Sequence, residues 1–460
     1  MTNKTICERT KNIPIFAEAD VAVAGGGLSG VLAAVAAARC GASVILVERF
    51  SVLGGPAVMG LPIQGYCRDN DDQIVLGLPE EFRQRLIAKG GAVKDFVKCA
   101  MHNPFMLVMP ETVKQVCLEM LLEAKVRVLL DTMVVDVAGE NGAIDAIIIE
   151  GKSGRQAIAA RQFIDATGDA DLVARAGLPY TIAPPEQLQA STMGFILTDV
   201  DKTAIQKCLK DDPDAYDLYP MLPREQIANA EYYIMAGLTK LAQKAAQEEE
   251  FKGLYGMVNF VTLPRDDMVY VNSVHVSGKS TCETAGVSEL EIEGAQQIDM
   301  VFRFLQKYVA GFERARIVSS GPFLGIRESR IIVGMDQLTI DSINKGLIPD
   351  STIALGGYPY DFHQKDCADN KVQFSKVPAY GITFGCMIPR GSRNLLVAGK
   401  AISATREAMC SSRVMAQCMA EGQAAGTAAA ICAAENIGIQ ELDVQKLRQK
   451  LRADGAKLER

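Results

Sequence analysis

The hydrophobic pattern of the chain begins with a short apolar run that three glycines interrupt. Residues 20–24 (DVAVA) are predicted as a strand, and glycines follow at positions 25, 26 and 27. Residues 28–40 are rich in alanine and predict a helix, which Gly41 ends. Residues 43–48 (SVILVE) are almost continuously apolar, as expected of a parallel strand covered on both faces. This order predicts one right-handed βαβ unit.

The pattern then changes twice before residue 170. Residues 51–110 are irregular, with one helix predicted over 78–89, and a second helix is predicted over 110–124. From 126 to 166 the chain alternates short apolar runs with Asn-Gly and Ser-Gly turn signals. This stretch predicts a parallel strand, a small antiparallel meander and a return strand that ends at Ala166.

The central part of the chain has a different character. Residues 177–370 contain more charges, prolines and tyrosines, with a long helix predicted over 289–309, and we interpret them as an inserted domain. A buried strand is predicted at 394–398, a long Ala- and Gly-rich helix at 412–436, and an amphipathic helix near the end. The predicted division is therefore 1–176, 177–370 and 371–460, with the first and last segments forming one domain.

Composition and charge narrow the possible partners. Apolar residues make up 48% of the 460 residues, which suits a folded protein of about two domains. The net charge is −7 and no Lys/Arg-rich block occurs, so neither nucleic acid nor an anionic membrane surface is expected as a partner. No apolar run reaches the roughly 18–20 residues of a membrane span, and none near the N-terminus resembles a secretory signal.

The cysteines predict free thiols. Twelve are spread from Cys7 to Cys432, and no two form a C-x-x-C pair. Because zinc and iron–sulfur sites normally need clustered thiolates, no metal site is expected. Dispersed thiols suit a reducing compartment, so the chain is expected in the cytoplasm.

The first chemical motif lies in the βαβ unit. In Gly25-x-Gly27-x-x-Gly30, the first glycine permits a tight turn, the second lets a pyrophosphate approach, and the third lets helix and strand pack closely. The helix start at Leu28 and Ser29 offers free N–H groups to phosphates. Glu48, at the end of the second strand, can accept hydrogen bonds from ribose hydroxyls. An ordinary glycine turn is the alternative, and the motif alone does not distinguish NAD from FAD.

Two later segments favour FAD. Ala166-Thr-Gly168-Asp169 follows a buried strand and resembles a flavoprotein motif that reaches the phosphates and ribityl chain. The alternative is that Asp169 caps the next helix. A late strand ending near Gly399, followed by a helix N-terminus, also suits a flavin, because the helix dipole favours negative charge at the N1–C2=O end of the reduced ring.

These stretches, with GIRESRIIVG, YPYDFH and NLLVAGKAISATREAMCSSRVMAQCMAEGQAAGTAAA, resemble the FAD-dependent oxidoreductase family. That family is similar in its flavin domain to the flavoproteins of fumarate reductase and succinate dehydrogenase. The resemblance covers about residues 16–440 and implies an α/β fold, with a Rossmann-like FAD-binding domain, a small antiparallel meander and an inserted α+β substrate domain. It implies FAD contacts at Gly25, Gly27, Leu28, Ser29, Gly30, Glu48, Arg49, Gly54, Gly55, Gly168, Asp169, Gly399 and Arg413.

The sequence departs from its relatives at two places. Many members have His where this chain has Arg406, which cannot act as an acid or base near neutral pH but can hold an anionic substrate. Relatives with covalent flavin attach it through a His shortly after the Gly-Gly pair. No His occurs between Gly55 and His102, so the FAD is predicted to be non-covalent.

Candidate catalytic residues lie where the chain returns to the flavin domain. Arg327 and Arg330 could clamp a carboxylate or stabilise an enolate, and His363 could be an acid or base that Asp361 orients. The alternatives are an internal ion-pair network of Arg327, Glu328 and Arg330, and a structural hydrogen bond for His363. We interpret His102 and His275 as structural.

The predicted function is a flavin-dependent dehydrogenase or reductase. A hydride would pass between flavin N5 and a small, anionic organic substrate. Two other classes stay open: a flavin-containing electron-transfer or binding subunit that acts with a partner, and an NAD-linked enzyme without flavin. The sequence identifies neither the substrate, the electron acceptor or donor, nor the oligomeric state.

Overall fold

The computed structural model describes residues 6, 12–69, 72–212, 214–254, 256–363 and 373–460. The strands, named β1 to β22 in chain order, are Ile15–Ala24, Val44–Val47, Cys67–Asp69, Asp72–Gln73, Arg127–Leu129, Met133–Ala138, Ala146–Gly151, Gly154–Asp165, Tyr180–Thr181, Ser191–Thr192, Phe195–Thr198, Ile234–Gly237, Val258–Leu263, Arg265–Val271, His275–Val276, Arg316–Ser320, Ile331–Ile332, Thr352–Gly356, Tyr360–Phe362, Gln373–Ser375, Tyr380–Thr383 and Leu395–Val397. The helices, α1 to α12, are Leu28–Arg39, Leu78–Ala88, Pro110–Glu123, Asp171–Arg175, Lys202–Asp211, Arg224–Asn229, Thr239–Ala245, Thr284–Tyr308, Ile340–Asn344, Arg406–Ser412, Met415–Glu435 and Val444–Ala453.

The main sheet has a parallel part and an antiparallel part. Strands β5, β2, β1, β8 and β22 lie side by side in parallel, and their apolar side chains are covered by helices. The other end of β8 pairs antiparallel with β7, and β7 pairs with β6. This arrangement confirms the predicted Rossmann-like domain with its small meander.

Two strands are longer than their apolar runs suggested. β1 begins at Ile15, because it pairs with β8 from Ile15 opposite Ala157 onward. β8 is one continuous strand, whereas the sequence indicated two runs. Its first half pairs antiparallel with β7, and its second half pairs in parallel with β22. Because neighbouring strands pair along its length, the segment forms one strand without a break.

Helices α1 and α11 cross closely above the sheet. A Cβ added at Gly422 would lie 2.2 Å from the carbonyl oxygen of Ser29, and one at Gly426 would lie 2.0 Å from that of Ala33. Only glycine permits this approach. The crossing fixes the N-terminal half of α11 beside the glycine turn.

The helix predicted over 412–436 is confirmed as α11, and a short helix that the sequence did not predict, α10, precedes it. The structure has two helices, α10 and α11, separated at Arg413 and Val414. Val414 adopts an extended conformation (φ −75°, ψ 150°), which ends α10 and lets α11 start at Met415. The break creates a helix N-terminus that a continuous helix would lack.

The inserted domain is built on an antiparallel sheet in the order β12-β13-β14-β11-β16. Helix α8 is 25 residues long and starts five residues before the predicted 289. Phe260, Phe304 and Phe312 form part of a core separate from that of the flavin domain. Phe105 and Leu107 also belong to this core, while Leu338 and Ile343 belong to the core that contains α1. The predicted domain boundaries stay predictions.

Within the described residues, the helices include none that is both long and apolar enough to cross a membrane. The ten cysteines in these ranges are free, while Cys7 and Cys367 lie outside them. No cluster of three or more potential His, Cys, Asp or Glu metal ligands occurs among the same residues.

Candidate active site

A cavity of about 320 Å³ lies between the parallel sheet and the inserted sheet. Strands β1, β2, β8 and β22 end at its edge, as expected for ligand sites of α/β folds. Of the residues predicted from the sequence, its lining includes Gly25, Gly27, Leu28, Ser29, Glu48, Arg49, Gly55, Gly168, Asp169, Arg327, Asp361, His363, Gly399 and Arg413. Gly30, Gly54, Arg330 and Arg406 are not part of the lining.

The three motif glycines have different structural roles. Gly25 has φ +103°, and an added Cβ would lie 2.3 Å from the Ala166 carbonyl oxygen. A Cβ at Gly30 would lie 1.9 Å from the carbonyl oxygen of Gly25. Gly27 has an ordinary φ of −65°, and its added Cβ would meet nothing closer than 3.9 Å, at Gly55. The protein itself therefore requires the first and third glycines, whereas the second leaves space for a ligand.

Glu48 lies at the end of β2 with its carboxylate turned into the glycine turn. Its Oε2 accepts a hydrogen bond from the Gly26 N–H at 2.5 Å, and its Oε1 accepts one from the Phe50 N–H at 2.8 Å. Burial raises the pKa of Glu48, against these two hydrogen bonds. The carboxylate is thus fixed beside the turn, where a ribose hydroxyl can reach it.

Gly54 stabilises the glycine turn by a hydrogen bond to its backbone. Its N–H donates to the Gly26 carbonyl oxygen at 2.8 Å, and an added Cβ would press on Val113 at 2.8 Å. Gly55 is the member of the pair that lines the cavity.

The alternative role of Asp169 as a helix cap is wrong. Asp165 takes that role, because its Oδ2 accepts from the Leu172 N–H at 2.8 Å. Burial raises the pKa of Asp165 to about 6. Asp169 instead faces the cavity and pairs with Lys400 at 2.9 Å. Sequence reasoning missed Lys400, although its position directly after Gly399 could have indicated it.

Helix α11 directs its N-terminus at the cavity. Val414 and Met415 line the cavity wall, and the first turn of the helix has no intrahelical partners for its N–H groups. Nearby, the Gly399 N–H donates to Glu421 Oε2 at 2.8 Å. Glu421 is fully buried, and burial raises its pKa well above the ordinary value. An anionic ligand group would be stabilised at this helix end.

Asp361 and His363 form a buried pair in the cavity wall. His363 Nε2 lies 2.9 Å from Asp361 Oδ1, and the His363 N–H donates to Gln189 Oε1 at 3.2 Å. Burial favours a raised pKa for Asp361, but His363 and Arg413 hold the pKa below its usual value. Burial lowers the pKa of His363, although Asp361 opposes that shift. At neutral pH the pair is therefore a carboxylate beside a neutral imidazole.

All three histidines of the chain lie at this site. His102 Nδ1 is 2.8 Å from the Tyr358 hydroxyl, and the ring of His275 stacks on that of His363 with centroids 6.0 Å apart. From the sequence, His102 and His275 are interpreted as structural. No local signal in the sequence indicates that they meet His363.

Arg330 and Arg406 make ion pairs outside the cavity lining. Arg330 Nη1 donates to Asp171 Oδ1 at 2.9 Å, and Arg406 Nη2 donates to Glu328 Oε2 at 3.0 Å. The proposed network of Arg327, Glu328 and Arg330 is thus replaced by two separate pairs. Arg327 lines the cavity, and its Nη1 donates to the Ala190 carbonyl oxygen at 2.5 Å.

Four polar side chains on or next to β10, β13 and β14 form a polar wall of the cavity. Thr192 Oγ1, Asn259 Oδ1, Asn272 Oδ1 and the Tyr270 hydroxyl are buried with no hydrogen-bond partner within the described residues. All four residues line the cavity. Because buried polar groups are normally satisfied, this wall suits a polar ligand.

The family is decided by a comparison of the whole chain. The model of a family described as FAD dependent oxidoreductase matches residues 20–451. The chain belongs to the FAD-dependent oxidoreductase family. FAD is therefore the cofactor of this oxidoreductase, and the residues present fit it. The space left at Gly27, the fixed Glu48 carboxylate and the unpartnered buried Ser29 hydroxyl lie where a dinucleotide needs them.

A search of curated proteins found none with a significant match to this chain. Among solved structures it is similar to a geranylgeranyl bacteriochlorophyll reductase-like protein from Thermoplasma acidophilum (14% identity, TM-score 0.44, covering 95% of this chain and 83% of the other). It is also similar to p-nitrophenol 4-monooxygenase from Pseudomonas putida (12% identity, TM-score 0.45, covering 96% of this chain and 85% of the other). A third similar structure is a myxobacterial chondrochloren halogenase (13% identity, TM-score 0.46, covering 95% of this chain and 78% of the other). At these TM-scores the similarities carry no argument about the reaction.

Proposed function

We propose that this oxidoreductase is a dehydrogenase or reductase that transfers a hydride between the flavin and a small, anionic organic substrate. One observation carries the proposal. Arg327 and the Asp361–His363 pair line the same cavity as the glycine turn and the N-terminus of α11. A cation, a proton-handling pair and a cofactor cradle are thus brought together from distant parts of the chain.

Arg327 supplies the positive charge of the proposed substrate site. Its Nη1 is held by the Ala190 carbonyl oxygen, which fixes the guanidinium in the wall. Arg413 also lines the cavity, but it donates to the Asp361 carbonyl oxygen at 3.0 Å and supports that residue. A fixed guanidinium stabilises negative charge that develops on a substrate without having to reorganise first.

His363 supplies the proton acceptor or donor. With Nε2 directed at Asp361, its Nδ1 is the remaining ring nitrogen, and it has no hydrogen-bond partner among the described residues. In the neutral imidazole, Nδ1 can take a proton from a substrate hydroxyl, and the imidazolium can return it in the reverse direction. When bound, FAD supplies the hydride acceptor or donor.

The polar wall supports a substrate with hydroxyl, carbonyl or amide groups. Asn259 and Asn272 lie on neighbouring strands, because the Asn272 N–H donates to the Asn259 carbonyl oxygen at 2.9 Å. Their amide groups and the Thr192 hydroxyl need hydrogen-bond partners that a hydrocarbon could not provide. We therefore propose a polar carboxylate rather than an apolar substrate.

Four finer statements belong to the same proposal. The likeness to the flavoproteins of fumarate reductase and succinate dehydrogenase rests on sequence resemblance alone. A cytoplasmic location rests on the dispersed cysteines. An electron acceptor or donor is the proposed partner. A flavin-containing electron-transfer or binding subunit that acts with a partner would be the conclusion if the experiment below fails.

The experiment is an anaerobic screen in which candidate carboxylates are mixed with the purified protein and flavin absorbance is followed. Arg327→Ala is expected to lower the rate of flavin bleaching by about 10²–10³-fold while FAD stays bound. The matched control is Arg316→Ala, because Arg316 is an exposed arginine on β16 that pairs with Asp199. Equal rates for Arg327→Ala and the wild type would refute the assignment of Arg327. Flavin that none of the carboxylates bleaches would favour the electron-transfer subunit.

A further inference from the structure

Asp361 is the meeting point of two buried arms. On one side, His363 Nε2 lies 2.9 Å from Oδ1. On the other, the Tyr358 hydroxyl donates to Oδ2 at 3.5 Å and lies 2.8 Å from His102 Nδ1. The rings of His102 and Tyr358 are nearly parallel, with an interplanar angle of 6°. The proposed function uses only the first arm.

The second arm is firmly built into the fold. The Tyr358 carbonyl oxygen accepts from the Ser411 hydroxyl at 2.5 Å, and Asn103 Nδ2 donates to the Gly357 carbonyl oxygen at 3.1 Å. These contacts tie the segment that precedes Asp361 to α10 and to the loop that contains His102. Tyr358 is fully buried, so its hydroxyl is held close to both partners.

Within the second arm, the single hydroxyl proton of Tyr358 can go either to Asp361 or to His102. If Tyr358 donates this proton to Asp361, the short contact with His102 requires the imidazole to donate from Nδ1 to the tyrosine oxygen. His102 Nδ1–H then donates to the Tyr358 oxygen and the Tyr358 O–H donates to Asp361 Oδ2, while His363 Nε2 lies 2.9 Å from Asp361 Oδ1 on the other side. Such hydrogen bonds polarise and strengthen one another in a buried environment.

We propose that Tyr358 and His102 are positioning residues, which hold Asp361 so that His363 keeps its proton on Nε2 and presents Nδ1 to the substrate. The inference rests on the proposed function for its chemical meaning. Which nitrogen of each imidazole carries the proton, however, depends only on these four side chains and not on the substrate. The proposal assigns a specific role to His102, and it links two distant segments of the chain, the loop with His102 and residues 358–363.

The charges around His363 are consistent with this arrangement. The charged and titratable groups that face it are Asp361, Arg327, Arg413, His102, His275 and Tyr358. Burial lowers the pKa of His102 to about 4, so this imidazole is neutral at physiological pH. Arg413 Nη2 lies 3.8 Å from Asp361 Oδ2 and offsets the charge of this carboxylate, so no positive charge is needed on the imidazoles.

The test is histidine-selective ¹⁵N NMR of the FAD-loaded protein, which has only three histidines to resolve. We expect His102 protonated on Nδ1 and His363 protonated on Nε2 at neutral pH. The opposite tautomer at either residue would overturn the proposal. This measurement needs no substrate, so it can refute the positioning role of Tyr358 and His102 without refuting the proposed function.

Tyr358→Phe provides the second measurement. It removes one donor from Asp361, which makes the carboxylate more basic and stabilises the His363 imidazolium. We expect the His363 titration to move upward by roughly half to one pH unit, and the pH profile of flavin bleaching to follow it. The matched control is Tyr66→Phe, since Tyr66 is a buried tyrosine whose hydroxyl donates to the Pro79 carbonyl oxygen at 2.6 Å, outside the cavity. An unmoved His363 titration in folded Tyr358→Phe would overturn the proposal.

Discussion

Gly27→Val tests the cofactor cradle most directly. Gly27 has a backbone conformation that any residue adopts, and its added Cβ meets only Gly55 at 3.9 Å. The substitution should therefore cost about 1 kcal/mol of folding stability, as expected when valine replaces glycine at a helix N-cap. A branched side chain would nevertheless fill the space that the pyrophosphate needs.

The size of the effect follows from the N–H groups in the first turn of α1, which have no intrahelical hydrogen-bond partners. Each N–H that hydrogen bonds to a phosphate contributes about 1.5–3 kcal/mol, as for other hydrogen bonds to charged groups. The loss of two such bonds costs about 3–6 kcal/mol, which corresponds to about 10²–10⁴-fold weaker FAD binding. The purified variant should therefore be folded but almost colourless.

The assay is the FAD content after acid precipitation, followed by titration of the protein with FAD and a thermal unfolding curve. The control is Gly438→Val, because Gly438 is also a helix N-cap in an extended conformation (φ −71°, ψ 155°) but lies outside the cavity. Gly30→Ala should behave differently from Gly27→Val, because the alanine Cβ would clash with the Gly25 carbonyl oxygen. This substitution should lower the folding stability of the protein itself. Normal FAD content in folded Gly27→Val would refute the phosphate role of this turn.

Three further predictions follow from buried charges and from the cavity. Arg406→Ala should lower the free energy of unfolding by about 3–5 kcal/mol, because it leaves the buried Glu328 carboxylate without its ion-pair partner. A large loss of turnover per bound FAD at unchanged stability would instead favour a catalytic role for Arg406. Burial raises the folded pKa of Glu421 above 4.5, so its stabilising contribution is present below about pH 4.5 and is lost as the pH rises through the folded pKa. Chemical denaturation from about pH 5 to about pH 8 should thus show a smaller decline in stability for Glu421→Gln than for the wild type, and parallel curves would contradict this reasoning. Denaturing gels should show no flavin fluorescence in the protein band, and a fluorescent band would mean that the FAD is covalently attached.

Much of the cofactor half of the fold could be predicted because its signals are local. Residues 20–48 contain a strand, a glycine turn, a helix and a second strand within one short segment. The spacing of Gly25, Gly27 and Gly30 reflects contacts with near neighbours in the chain. Element ends were less predictable, as β1 and β8 show, because pairing with distant strands extends them beyond their own apolar runs.

The substrate half of the site could be predicted only in part. Arg327, Asp361 and His363 line the cavity, whereas Arg330 and Arg406, which have the same guanidinium chemistry, pair with nearby carboxylates instead. A sequence shows which residues carry charge but not which charges neutralise one another. That choice is made by the distances between side chains after the chain has folded.

By itself the sequence determined that the chain forms a dinucleotide cradle, because short-range patterns of glycine and apolar residues specify strand, turn and helix. Only the tertiary structure decided what faces that cradle. His102, His275 and His363 come from separate segments of the chain and meet only after it has folded. These arrangements depend on the packing of the two cores against each other, so no local pattern in the sequence contains them.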